Sequence, residues 1–263
     1  MQTELNRLMG SIPTDTILKK DYIMENVLPR LSAGELLSSL SVNKIHAERF
    51  LDMTLTYHVT IRQEALSDSL VSFVITEGLI ESLLLDPSEL AEKAVENLGS
   101  DYHITPLLDI LKSFGFDASE EEGLYGQDPG AELLVATTGS CMHGAALMLN
   151  IPVLSEIYER LGAFIILPSS VHEFISMPYD PETDIPALSE MVRTINSTEL
   201  LERDRLSDSV YLFDGNTVSR LGCAAEYGRR PITSDAMIPE AVQSSTMASK
   251  ASQSEEYLSE SLR

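Results

Sequence analysis

The sequence predicts an α+β protein, with antiparallel sheets packed against helices and a disordered C-terminal tail. Three observations carry that prediction. Residues 51–62 alternate apolar and polar side chains, the period-two pattern of a half-buried strand. Residues 86–99 hold the start and stop signals of a capped amphipathic helix. Beyond residue 131, short apolar runs alternate with segments of helical periodicity.

Taken in order, Pro13-Thr14-Asp15 reads as a turn. Leu28, Leu31, Leu36, Leu37 and Leu40 then recur near helical spacing, which predicts helix over 20–40 with a break at Pro29. Over 50–62, Leu51, Met53, Leu55, Tyr57, Val59 and Ile61 alternate with Asp52, Thr54, Thr56, His58, Thr60 and Arg62. A second strand over 69–76 follows a turn at Ser67-Asp68 and is expected to pair antiparallel with the first. At Asp86-Pro87-Ser88-Glu89 the aspartate can cap free amides, the proline fits the first turn and the glutamate can reach back as in a capping box. Gly99 is the matching stop, with Leu90, Ala94, Val95 and Leu98 on one apolar face. Residues 107–114 predict a further short helix ending at Gly115.

Residues 119–130, with three consecutive glutamates and three glycines, read as a mobile acidic linker. It separates an N-terminal helical and β region, 1–118, from a C-terminal α+β module, 131–221. Within that module, 133–137 and 145–149 predict apolar strands around a turn at 138–144. A helix over 152–161 should turn Leu154, Ile157, Tyr158 and Leu161 inward and stop at Gly162. Residues 164–167 and 171–177 form a hairpin around Pro168-Ser169-Ser170. Asp184 caps a helix bearing Leu188, Met191, Val192 and Ile195, and 209–213 form a last strand turning at Asp214-Gly215-Asn216. Seven serines among the last twenty residues, with few large apolar groups, offer too little burial to offset ordering entropy. A tail over 222–263 is therefore expected to be disordered.

At 263 residues the chain can bury a substantial core. Its apolar runs are far shorter than the roughly 20 residues of a bilayer-spanning helix, and the N-terminus lacks a secretory pattern. No membrane partner and a cytoplasmic location are expected. Cys141 and Cys223 are far apart and belong to no Cys-x-x-Cys pair, so reduced thiols are expected rather than a disulfide or zinc framework. The net charge is −23, from 41 acids against 18 bases. Residues 64–132 concentrate it, with sixteen Asp and Glu against Lys93 and Lys112. That sign opposes direct binding to nucleic acid and favours a basic protein partner, although solubility alone is a sufficient reason for it.

Two groups of residues contain catalytic residue types. Ser169, Ser170, His172 and Glu173 have the chemistry of a hydrolytic triad. However, His172 and Glu173 are adjacent in a strand, which turns them to opposite faces, and no Gly-x-Ser-x-Gly elbow is present. Cys141 and His143 lie in Gly139-Ser140-Cys141-Met142-His143-Gly144, where a buried thiol in a turn explains the pattern better than an activated nucleophile. His46, His58 and His103 show no metal-ligand spacing, no phosphate-cradling glycine motif occurs, and Arg229-Arg230 is too short for a nucleic-acid patch. Neither cofactor nor metal is expected.

Several strings resemble a bacterial family catalogued as domain of unknown function 5688. They are Gly144-Ala145-Ala146, Val153-Leu154-Ser155-Glu156-Ile157 through Glu159-Arg160-Leu161-Gly162, and Leu206-Ser207-Asp208-Ser209-Val210-Tyr211-Leu212. With Ile165-Ile166-Leu167-Pro168-Ser169-Ser170-Val171-His172-Glu173 they carry a strong likeness over about 133–221, of which Leu167-Pro168-Ser169-Ser170-x-His172-Glu173 is the specific part. A weaker likeness spans 24–62, so the resemblance covers about half the chain. Family members usually have a further N-terminal β-rich portion, and this chain is expected to start downstream of it. The resemblance implies a gut-type anaerobic bacterium and a setting among mobile elements, and it carries no known activity.

Charge and setting together predict a non-enzymatic interaction module that meets a basic partner through Glu77, Glu81, Glu89, Glu92, Glu96, Glu120, Glu121 and Glu122. One version is an inhibitor whose carboxylates stand in for phosphates in a defence nuclease. The alternative is a hydrolase that uses Ser169 or Ser170 with His172, or Cys141 with His143.

Overall fold

The computed structural model describes residues 14–61, 71–115 and 132–223, and the chain divides into two compact units between Asp101 and Tyr102. The N-terminal unit runs α1 (Thr14–Ile17), α2 (Lys20–Asn26), β1 (Val27–Ala33), a 3-10 turn (Gly34–Leu36), α3 (Leu37–Val42), β2 (Ala47–Phe50), β3 (Met53–Ile61), β4 (Val71–Val74), α4 (Glu77–Leu83) and α5 (Pro87–Leu98). All its strand pairs are antiparallel. β3 is central, β1 lies along one edge, and β2 and β4 share the other.

The helix expected over 20–40 is thus a helix, a strand and a second helix. Val27, Pro29 and Leu31 alternate inward, a strand pattern that overlaps leucine spacings at three residues. Pro29 is tolerated because β1 is an edge, where a missing N–H need not interrupt a ladder on both sides. The strand expected from residue 50 begins at Met53. Phe50 closes β2, and Leu51 and Asp52 turn the hairpin, with Leu51 at φ 55°. β3 is also buried over most of both faces rather than half-buried: Thr54, Thr56 and Thr60 are buried along with Met53, Tyr57 and Val59, and His58 alone in the strand is partly exposed. The expected antiparallel partner of β3 is β4, and the turn at Ser67-Asp68 lies outside the described residues.

The helix start at Asp86 is realised in α5. Asp86 Oδ1 accepts the Ser88 and Glu89 N–H groups at 2.8 and 3.2 Å, Pro87 occupies the first turn and Gly99 ends the helix. Leu90, Ala94 and Leu98 are buried. Asn97 Nδ2 donates to Met24 O and Val27 O, which pins α5 to the α2–β1 junction. Glu89 pairs with Lys20 at 3.0 Å instead of reaching back.

The C-terminal unit contains β5 (Tyr102–Pro106), α6 (Leu107–Ser113), β6 (Leu134–Thr138), a 3-10 segment (Gly144–Leu149), α7 (Ile151–Leu161), β7 (Phe164–Pro168), β8 (Glu173–Pro178), α8 (Ile185–Thr198), a 3-10 turn (Glu202–Asp204), β9 (Ser209–Phe213) and β10 (Val218–Cys223). Its antiparallel sheet has the order β10-β9-β7-β8-β6-β5. Leu107 and Leu111 of α6 and Val192 and Ile195 of α8 join Val135, Ile165, Leu167 and Ile175 in one core. On the opposite sheet face the Phe164 and Phe213 rings pack at a tilt with centroids 5.4 Å apart, and Tyr158 of α7 meets Phe213 edge-on.

Four expectations change here. The boundary sought near 118–131 lies at 101/102, because β5 pairs with β6 and α6 packs into the second core. Residues 145–149 are not a strand but part of a 3-10 segment, whose Ala145–Met148 stretch is fully buried; a short apolar run does not by itself distinguish the two. Tyr158, expected inward, is 38% exposed. The turn after β9 leads into a further strand, with Asp214 Oδ1 accepting the Asn216 and Thr217 N–H groups and Gly215 at φ 100°. The 164–177 hairpin and the Asp184 cap stand as expected. Residues 119–130 and the tail beyond 223 lie outside the described residues. Among the described residues no helix is long and apolar enough to cross a membrane.

Candidate functional site

The two residue groups picked out from sequence converge in the C-terminal unit. Cys141 and His143 lie between β6 and the 3-10 segment; Ser169, Ser170 and His172 form the loop between β7 and β8, and Glu173 opens β8. Hydrogen bonds to the backbone carbonyls of Val171 and His172 join the two segments. Gly144 N–H donates to His172 O at 2.8 Å, Ala145 N–H to Val171 O at 3.3 Å, and Thr137 Oγ1 donates to the same His172 O at 2.8 Å. Gly144 is required at this junction, since a Cβ there would strike His172 O and come within 2.6 Å of Thr137 Cα.

The His172 ring is buried and engaged through both nitrogens. Nδ1 accepts the His143 N–H at 3.2 Å, and Nε2 faces Asp204 Oδ1 at 3.6 Å. An Nδ1 lone pair that holds an amide proton puts the ring proton of the neutral imidazole on Nε2, toward Asp204. The Asp204 backbone carbonyl in turn accepts the Val171 N–H at 2.9 Å. His143 lies tilted over His172, with ring centroids 5.4 Å apart. The imidazole thereby ties three segments together.

The serines take other partners. Ser169 Oγ donates to Glu173 Oε1 at 3.2 Å, and Ser170 Oγ accepts the His172 backbone N–H at 3.0 Å. Burial drives the Glu173 carboxyl up to about 7, against the smaller opposing effect of the Ser169 hydroxyl. Near neutral pH this group carries a proton for part of the time. Cys141 is exposed, and its thiol is pushed up first by desolvation and then by the Glu173 charge, the reverse of what a thiolate nucleophile needs. Cys141 and His143 both hold left-handed backbone, at φ 55° and 58°. An apolar hollow lined by Leu167, Pro168, Ser169, Met191 and Asn196 adjoins the loop. Among the described residues no group of three or more His, Cys, Asp or Glu could hold a metal ion.

The model of a family of unknown function, DUF5688, matches residues 10–215. The chain belongs to the DUF5688 family. No curated protein and no solved structure matches it. The match runs through the whole stretch between the two likenesses seen in the sequence, so the DUF5688 region includes β5, α5 and the acidic helices as well as the 169–173 loop.

The carboxylates expected to form one face of this DUF5688 protein are distributed. Glu77 and Glu81 lie on α4, and Glu89, Glu92 and Glu96 on α5, all exposed in the N-terminal unit. Glu77 meets His46 Nδ1 at 2.9 Å, Glu89 meets Lys20 and Glu96 meets Lys93 at 2.9 Å. Glu81 and Glu92 make no ion pair among the described residues. Glu120, Glu121 and Glu122 lie outside them. Sequence reasoning missed Asp204, which sits in no motif and reaches His172 through a loop some thirty residues away.

Proposed function

We propose that this DUF5688 protein is a non-enzymatic interaction module that engages a basic protein through the outer side of α4 and α5. The observation supporting this reading is the placement of charge on ordered helices. Residues 77–98 hold six acids and one lysine, and every one of those acids is exposed while Ile80, Leu85, Leu90, Ala94 and Leu98 form the core side. Carboxylates held on helices keep fixed spacing, which suits recognition of a basic surface and accelerates encounter with it. An inhibitor of a defence nuclease, with carboxylates in place of phosphates, is the specific form we favour.

The test is affinity capture with the full chain at low and high salt, repeated with Glu81→Lys and Glu92→Lys together. Partner retention should fall at least about tenfold at low salt, and the salt dependence should flatten. Unchanged retention and salt slope would sink the proposal.

Hydrolysis is the second reading, and it draws on the convergence of Cys141, His143, Ser169, His172 and Glu173. The raised thiol and the His172 Nδ1 that accepts an amide weigh against it. Turnover of an activated ester that disappears in Ser169→Ala or Cys141→Ala would restore it.

A further inference from the structure

The polar face of the N-terminal sheet carries a charge that, among the described residues, has no counter-charge. Strand register puts Arg30 of β1 opposite Thr56, Leu28 opposite His58, and Ser72 of β4 opposite Thr60, so Arg30, Thr56, His58, Thr60 and Ser72 share one face. The Arg30 guanidinium reaches across β3 to Ser72, with Nη2 donating to Ser72 Oγ at 2.8 Å. His58 Nε2 lies 3.1 Å from Thr56 Oγ1 on the same face.

A guanidinium has five N–H donors in a planar fork, and here a single serine hydroxyl is its side-chain partner. Among the described residues no carboxylate lies within ion-pair distance of Arg30. In a chain with 41 acids and 18 bases, that is a notable omission. Burial brings the guanidinium down to about 10, and the Arg30 charge adds to burial in holding the His58 imidazole down near 3. Both effects describe a cation removed from water and left without an anion, an arrangement that costs stability unless something offsets it. The His58 ring is neutral in this state and becomes easier to protonate once an anion arrives.

We propose that Arg30, with Ser72, His58 and the Thr56 and Thr60 hydroxyls around it, forms a binding site for the oxyanion head group of a small ligand, a phosphate or a carboxylate. The guanidinium fork matches the paired oxygens of either group, and the hydroxyls supply further donors. Arg30, His58 and Ser72 are half-buried, which leaves a route of entry beside the buried Thr56 and Thr60. The site uses no residue of the acidic helices or of the 169–173 loop.

The experiment uses the full chain, with inorganic phosphate and acetate as separate probes, each compared with sodium chloride of equal ionic strength. Melting temperature and the NMR titration of the His58 ring are the readouts. At least one probe should raise the melting temperature saturably beyond chloride and move the His58 titration upward. A response to phosphate alone assigns a phosphate-bearing ligand, and one to acetate alone a carboxylate. Arg30→Met should weaken the response at least about tenfold while leaving the ligand-free melting temperature equal or higher, because it removes a desolvated charge. Should Arg30→Met fail to fold, Arg30→Lys, which keeps the charge and loses the fork, should lose most of the response. No response beyond chloride in the unmodified protein, or a full response in the Arg30 variants, overturns the site.

Discussion

At the scale of single residues, the C-terminal loop cluster depends on a proton. Glu173 has a folded-state titration near 7 against an ordinary carboxyl value of 4.5, raised by burial. The folded protein therefore binds the proton more tightly than the unfolded chain. Its contribution to stability is full below about pH 4.5 and is lost as the pH climbs through about 7. Glu173→Gln, which keeps the shape and the acceptor for Ser169 but cannot ionise, should be about 1–3 kcal/mol more stable than the natural protein at pH 8 and little different at pH 4.5. Urea denaturation at the two pH values measures it, and an equal effect at both would refute the assignment. The type and spacing of Ser169, His172 and Glu173 were visible in the sequence. Their partners were not, because hydrogen-bond direction depends on where a distant loop places His143 N–H and Asp204.

Elements were legible where local chemistry determines them. Asp86 and Asp184 each cap a helix as expected, by accepting a nearby N–H with proline in the first two helical positions, and Asn150, not picked out in the sequence, does the same for α7. These signals act within one turn, so sequence alone carries them. The 3-10 segment Gly144–Leu149 is the opposite case. Its apolar run fits a strand as well as a buried turn, and the choice is made by Gly144, whose bare Cα lets the chain approach Thr137 and His172. Gly144→Ala should cost about 1–3 kcal/mol, and more if the two loops separate. Thermal denaturation reads the loss, and the His172 ring resonance should shift with it. A neutral substitution would show that the loop contact carries no energy.

For the whole molecule, the decisive fact is which residues belong to which unit. Tyr102–Pro106 adds the edge strand to the C-terminal sheet, and Leu107 and Leu111 enter its core. A fragment beginning at residue 102 should fold cooperatively, whereas one beginning at 119 lacks β5 and α6 and should expose the apolar surface they cover. Amide exchange on the two fragments distinguishes them: protection of β6 should fall by at least about tenfold in the shorter one. Equal protection would return the boundary to the linker. The charge is redistributed by the same division. The acidic block of 64–132 spans parts of both units: it includes the acidic α4–α5 pair in one, and in the other Glu132, which pairs with Arg160 at 2.7 Å.

The sequence by itself determined the α+β class, the strand at β3, the capped helices, the β7–β8 hairpin and the excess of acid, because each rests on periodicity or on contacts within a few residues. Only the tertiary structure decided that residues 20–40 contain a strand, that 102–106 complete the second sheet, and that Arg30 faces Ser72. Strand pairing joins residues tens of positions apart, and a leucine spacing compatible with either period is resolved only when β3 supplies the partner for β1.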